Sequence, residues 1–221
     1  MTLKSYVKRT GHFTEAQKKA YDSMSSEYLI PFSAEKQDFH KIFGSRKDNN
    51  VIMEIGFGSG YATAEIAAAN PDKNYLCIEV HRPGIGKLLW EIEKRGLYNI
   101  RIIEYDAAEV LEKMIPQESL EGIHVFFPDP WPKKRHRKRR LIQRPFTKTL
   151  ALSLKKNGYF YMVTDWEDYA FHALEELSST EGLSNAYDGF ALPVSWRPVT
   201  RFERKGREKG HKIRELFFNK I

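Results

Sequence analysis

The chain has 221 residues, 41% of them hydrophobic, which is enough to bury a core of ordinary domain size and too apolar for a disordered tail. Its formal charge of +7 comes from 36 Lys+Arg against 29 Asp+Glu, and seven of the basic residues fall in Lys133 to Arg140, so 29 of each sign remain elsewhere and the excess is one patch. A neutral body with a basic cluster points to a particular polyanionic partner.

Cys77 is the only cysteine, which excludes an intramolecular disulfide and suits a reducing compartment. The N-terminus lacks the apolar core of a signal peptide, and nowhere do about 18 apolar residues run together. A soluble, cytoplasmic protein with no membrane partner is expected. The histidines are scattered and no Cys/His cluster has metal-ligand spacing, so no metal is expected either.

Two short helices, Thr14 to Tyr28 and Ala34 to Phe43, are expected first, within an N-terminal helical extension over 1-50. From position 51 short apolar runs alternate with helical patterns through 51-221. VIMEI is followed by a helix to about Asn70, YLCIEV by a helix from Gly84 to Arg95 between Pro83 and Gly96, and RIIEY by DAAEVLEKMI. GIHVFF is the fourth strand, a helix covers Pro145 to Lys156, GYFYMVT is the fifth strand, a helix runs from Trp166 to Ser179, and IRELFFN is the last strand. Strands of this kind separated by helices predict an α/β fold with a doubly wound, mostly parallel sheet. The stretch Gly182 to Lys212 reads as a long, basic excursion, for which a solvated loop is the plain alternative.

Chemistry concentrates at the carboxyl ends of the strands. EIGFGSG ends the first strand with Glu54, Gly56, Gly58 and Gly60, a glycine turn that lets a ligand approach the backbone. Tyr61 stands where a dinucleotide fingerprint needs its last glycine, which disfavours NAD. Glu79 ends the second strand 23 residues past Gly56, near the spacing (about 20) of a ribose-gripping acid, and Asp106 follows the third. Three acids would repel a diphosphate and suit a ligand bearing an amine, a ribose and an adenine; S-adenosylmethionine has all three. Asp106 could instead cap the next helix, and Glu54 could instead be paired with an arginine.

Strand four runs into FFPDPWPKKRHRKRR. Prolines at 128, 130 and 132 fix φ at alternate positions, and Asp129 and Trp131, each preceding a proline, are biased toward extended backbone. Trp131 is open between loop packing and a place near a target base. Asp165 in TDWEDYA is open between an N-cap and base recognition, and His81 between a structural and a functional role.

EIGFGSG, IEVHRPGIG, FFPDPWPKKRHRKRR, TDW and PVTRFE, in this order and spacing, resemble the bacterial tRNA (guanine-N7)-methyltransferases from about Val51 to the C-terminus. The resemblance implies a seven-stranded sheet of the Rossmann-like S-adenosylmethionine-dependent type and methyl transfer to N7 of a guanine in the variable loop of tRNA. It implies Glu54, Gly56, Gly58, Glu79, Asp106 and Asp129 at the cofactor, Asp129 also as the catalytic residue, and Lys133, Asp165, Thr200, Arg201, Phe202 and Glu203 as substrate contacts. Arg135, His136, Arg137, Lys138, Arg139 and Arg140 correspond to its RNA-contacting stretch. The part before Val51 matches poorly and inherits no role, and the chain is monomer or homodimer. Two other readings stay open: methylation of an exocyclic amine, and an RNA-binding module that has kept the fold without catalysis.

Overall fold

The structure is a computed structural model that describes residues 4–6, 13–44 and 50–221. Its seven strands form one sheet in the order β3-β2-β1-β4-β5-β7-β6. β1 (Val51–Ile55), β2 (Asn74–Ile78) and β3 (Ile100–Ile103) pair in parallel, as do β4 (Leu120–Phe126) and β5 (Leu154–Thr164), while β7 (Arg214–Lys220) runs antiparallel to β5 and to β6 (Leu183–Asn185). The predicted doubly wound, mostly parallel α/β fold is therefore the observed one. β1 and β2 are buried at every position, as strands covered on both faces must be.

The chain divides into two compact units, one of residues 8–116 with 196–198, the other of residues 1–7, 117–195 and 199–221. The first unit carries α1 (Glu15–Tyr28), α2 (Phe39–Phe43), β1, α3 (Tyr61–Ala69), β2, α4 (Arg82–Arg95), β3 and α5 (Ala107–Lys113). α1 starts at a capping box in which Gln17 N donates to Thr14 Oγ1 and the Gln17 side chain accepts from Thr14 N. The division does not fall at residue 50: the helices before β1 cluster with the first strands of the sheet. Gly86 brings α4 so close to α1 that an added Cβ would lie 2.6 Å from Gln17 O, and Ile30 N donates to Ile102 O at the β3 edge. Residues 1–3, 7–12 and 45–49 of the expected N-terminal extension lie outside the described residues.

Two more boundaries differ. Of the helix expected over 34–43 only Phe39–Phe43 forms, because Asp38 caps it and the preceding residues bond elsewhere: Gln37 N donates to Met114 O and the Gln37 amide to Ser33. In the second unit, which also holds α6 (Phe146–Ser153) and α7 (Glu167–Ser178), the stretch 182–212 is no plain loop but contains β6 and α8 (Arg201–Glu208). α8 forms because Thr200 accepts a hydrogen bond from Glu203 N, which outweighs the unfavourable charge run that follows.

Candidate active site: two sets of strand-end residues

In the first unit, Glu54, two residues before the glycine turn, is 2% exposed inside an apolar strand. Burial pushes its carboxyl up to about 7, the nearby Thr63 hydroxyl pulls the other way, and the charge of Glu79 adds to the rise. No salt bridge to Glu54 forms among the described residues, so the arginine-paired alternative is not what the fold uses. A buried acid without a cation is costly, and costly arrangements of this kind collect at functional sites.

Past Glu54 the chain turns through Gly56, Gly58 and Gly60, all at positive φ of 74°, 59° and 70°. Gly60 and Gly84 have packing reasons: a Cβ at Gly60 would meet Leu88 at 2.5 Å, and one at Gly84 would meet the Gly58 carbonyl at 2.1 Å. A Cβ at Gly56 or Gly58 would meet nothing within 4 Å. These two glycines leave open backbone where a ligand can lie. Glu79 holds the turn in shape, its Oε2 accepting from Gly58 N at 2.9 Å and its Oε1 from Val80 N and His81 N at 2.7 and 3.1 Å. Burial raises the Glu79 pKa while these three N–H groups lower it. Each carboxylate oxygen has a second lone-pair direction, so gripping the loop and accepting from a ribose hydroxyl are compatible.

Asp106, 9% exposed, caps α5 through Oδ1, which accepts from Ala108 N at 2.9 Å and Glu109 N at 3.3 Å. Both readings of this residue concern different parts of one carboxylate. Glu104, one strand over from Glu79, escaped the sequence reading. It accepts from Tyr21 Oη at 2.6 Å and Arg82 Nε at 2.7 Å, tying α1 and α4 to the tip of β3, and the pairing of Ile78 with Ile103 was the signal that could have placed it. Open glycine backbone with buried acids beside it and no basic cradle for phosphate fits a nucleoside that carries an amine, as S-adenosylmethionine does.

In the second unit, β4 gives way to a loop held by backbone rather than by regular structure. Phe127 N donates to Val163 O at 2.8 Å, and Phe127 and Trp131 have φ of 51° and 46°, one on each side of the half-buried Asp129. The expectation that Trp131 is extended is thereby corrected. Left-handed backbone at a bulky residue costs about 1–3 kcal/mol and persists only where surroundings impose it. Here the indole N–H donates to Ser5 O at 2.9 Å, the Arg139 guanidinium lies 3.9 Å over the ring, and His136 meets it edge-on at 5.9 Å. Of the two readings of Trp131, packing is the observed one.

The basic run forms a six-residue 3-10 helix, Lys134–Arg139. Lys133, Lys134, Arg135, Arg137 and Lys138 are exposed, as an RNA-contacting surface needs. Arg140 is not among them. It is 2% exposed, donates from Nε to Pro130 O at 3.0 Å and from Nη2 to Asp168, and lies over the Tyr169 ring at 4.9 Å. Its expected place in the RNA-contacting stretch is corrected: burial leaves it no surface to offer a phosphate. Arg139 is also engaged, donating to Lys4 O and Tyr6 O at 3.0 and 3.1 Å.

Asp165 follows β5 but does not cap α7; Trp166 holds that position and Thr164 Oγ1 accepts from its N–H at 3.2 Å. Asp165 Oδ2 instead lies 3.1 Å from His211 Nδ1. Asp168, three residues on, accepts from Arg137 and Arg140, and these cations hold its carboxyl below the usual range, the Arg140 hydrogen bond most of all. Thr200 is the N-cap of α8; Glu203, 1% exposed, accepts from Arg207 at 2.7 and 3.1 Å; Phe202 is 66% exposed. Among the described residues no group of three His, Cys, Asp or Glu is arranged to hold a metal, and no helix is long and apolar enough to cross a membrane.

A family model described as "Putative methyltransferase" matches residues 48–216. A tRNA (guanine-N(7)-)-methyltransferase of Nitrosomonas eutropha is 52% identical over 218 residues, covering 99% of this chain and 96% of its own, and one of Nitrosomonas europaea is 50% identical with the same coverage. Among solved structures, the 16S rRNA methyltransferase KamB aligns with a TM-score of 0.56 at 14% identity, covering 96% of each chain, a likeness of fold.

Proposed function

The chain belongs to the tRNA (guanine-N7)-methyltransferase family, and on that premise we propose that it methylates N7 of a guanine in the variable loop of tRNA with S-adenosylmethionine as donor. The observation that carries the site assignment is the loop after β4, where Asp129 stands between two non-glycine residues at positive φ and the next carbonyl is tied to a buried arginine. Glu54, Glu79 and Asp106 would hold the cofactor's amine, ribose and adenine beside the open backbone of Gly56 and Gly58. When bound, S-adenosylmethionine supplies an electrophilic methyl on a sulfonium.

Guanine N7 has an in-plane lone pair and no proton, so no base is needed to create the nucleophile. The protein's work is positioning and charge stabilisation. Asp129 accepts hydrogen bonds from the guanine N1 or N2 donors and stabilises the positive charge that grows on the purine as the bond forms. Lys133 and the exposed Arg135, Arg137 and Lys138 neutralise phosphates and bring the RNA in without reading its sequence. A structured RNA with an exposed guanine suits this arrangement better than duplex DNA, whose guanine would have to be extruded. One cysteine and a tRNA substrate fit the cytoplasm.

The test is incubation with unmodified tRNA and labelled S-adenosylmethionine, followed by aniline cleavage of the RNA. Strand scission at one labelled variable-loop guanosine is expected; label without scission would mean another acceptor atom. Asp129→Asn retains shape and half the acceptors, and should lower turnover while tRNA binding holds.

A further inference from the structure

His211 lies 46 residues from Asp165 in sequence, in the basic stretch that also holds Thr200 to Glu203, where no role was expected for the histidine. Its Nδ1 is 3.1 Å from Asp165 Oδ2, and its backbone N–H donates to Gly206 O at 2.9 Å, which fixes where the imidazole stands at the end of α8. Gly206 itself is placed against the same carboxylate: a Cβ there would lie 2.9 Å from Asp165 Oδ2 and 3.3 Å from Asp165 Cβ. The helix that begins at Thr200 thus rests its glycine on Asp165 and closes with a histidine on one oxygen of it. Both side chains remain partly open to solvent, at 37% for His211 and 31% for Asp165. Among the described residues Oδ1 takes no hydrogen bond.

We propose that His211 is a positioning residue for the Asp165 carboxylate: with its proton on Nδ1 it donates to Oδ2, fixing the plane of the carboxylate so that Oδ1 is presented to one N–H of the target guanine's N2 amine, which leaves a donor of the base for Asp129. This rests on the reading of Asp165 as a substrate contact. A carboxylate on a short side chain rotates freely about χ2 unless one oxygen is held, and a freely rotating acceptor loses much of its orienting value. Gly206 is required for the same reason, since a side chain there would occupy the space of the held oxygen.

The variants separate the ring nitrogens. Asparagine offers its amide N–H near where Nδ1 stands, while glutamine mimics Nε2, so His211→Asn should retain most activity and His211→Ala and His211→Gln should not. The expected loss in kcat/KM on tRNA is about tenfold, the worth of one hydrogen bond to a charged group. Affinity for S-adenosylmethionine by calorimetry and the melting temperature should stay near those of the unsubstituted protein. Discrimination between a tRNA with guanosine at the target and one with inosine, which lacks the N2 amine, should fall in His211→Ala and Asp165→Asn alike. The double variant should be no worse than Asp165→Asn alone.

Full activity and discrimination in His211→Ala, additive losses in the double variant, or equal activity of the Asn and Gln variants would each overturn the positioning role. If Asp165→Asn itself is as active and as selective as the unsubstituted protein, the reading of Asp165 as a substrate contact fails and the proposal falls with it. A crippled Asp165→Asn beside a normal His211→Ala leaves that reading standing and sinks only the proposal.

Discussion

Arg140 and its neighbours in the basic run have the same chemistry and opposite surroundings. In sequence nothing distinguishes it from Arg135 or Arg137, because a run of cations carries no periodic signal of which member turns inward. In the fold its planar fork reaches the Pro130 carbonyl and Asp168 at once, which lysine cannot do. Arg140→Lys is therefore expected to lower single-turnover methylation about tenfold while leaving the salt dependence of tRNA binding alone, and to cost about 2 kcal/mol in a urea titration. Glu54 makes a second prediction at this scale. Its folded pKa, near 7, lies above the ordinary carboxyl value of 4.5, so the folded protein holds this proton more tightly than the unfolded chain does. Stability from that source is complete below about pH 4.5 and is lost as pH rises through 7. Unfolding midpoints at pH 5 and pH 8 should differ less for Glu54→Gln than for the unsubstituted protein. A ligand amine opposite Glu54 favours the ionised form, so S-adenosylmethionine binding near pH 6.5 should release a proton, detected as a buffer-dependent calorimetric heat that the Gln variant lacks.

Elements were legible where one physical signal dominated. The five β-strands from VIMEI to GYFYMVT announced themselves as apolar runs bounded by turn residues, and Gly96, at φ 63°, ends α4 as its position suggested. The residues before α2 and the stretch 182–212 did not, because there local caps and long-range backbone bonds decide the outcome: Asp38 and Thr200 start their helices, and Gln37 N pairs with a residue from α5's far end. Gly56 and Gly58 are legible in sequence as an open turn, but Gly84, in the first turn of α4, has no sequence signal beyond that of a helix residue; only the fold puts the Gly58 carbonyl where its Cβ would be. Alanine there would place a methyl group 2.1 Å from that carbonyl and push the turn off Glu79. Gly84→Ala should weaken S-adenosylmethionine binding at least tenfold, read by calorimetry, a consequence of about 1.4 kcal/mol or more of loop strain. An equally tight variant would mean that the turn moves at no cost to the site.

At the scale of the whole molecule, the proposed function divides by charge, with polyanion recognition given to the cations and base recognition to the acids. The acids of the strand ends and the cations of the 3-10 helix belong to one chain whose charges otherwise balance at 29 of each sign, so the densest positive patch is the 3-10 helix, with the basic stretch 182–212 as a second, sparser one. Composition alone located that patch, since eight successive residues cannot all be buried. What composition missed is that Arg140 is internal and Arg139 is bonded to the backbone of Lys4 and Tyr6, which removes two of the seven cations from the contact surface. Each cation that neutralises a phosphate contributes roughly 0.7 to 0.9 to the slope of log affinity against log salt. Replacing Arg135, Arg137 and Lys138 together with alanine should thus flatten the slope for tRNA by about 2. Cofactor affinity should be unchanged, because among the described residues Glu54, Glu79 and Asp106 bond to none of these three cations. Arg137→Ala alone also frees one oxygen of Asp168, yet Arg140 still holds the other, so the loop after β4 should survive and single-turnover rates at saturating tRNA should stay within about twofold. A triple variant that loses turnover at saturation as well as affinity would show that the patch orients the guanine, and that delivery and chemistry are not separable in this molecule.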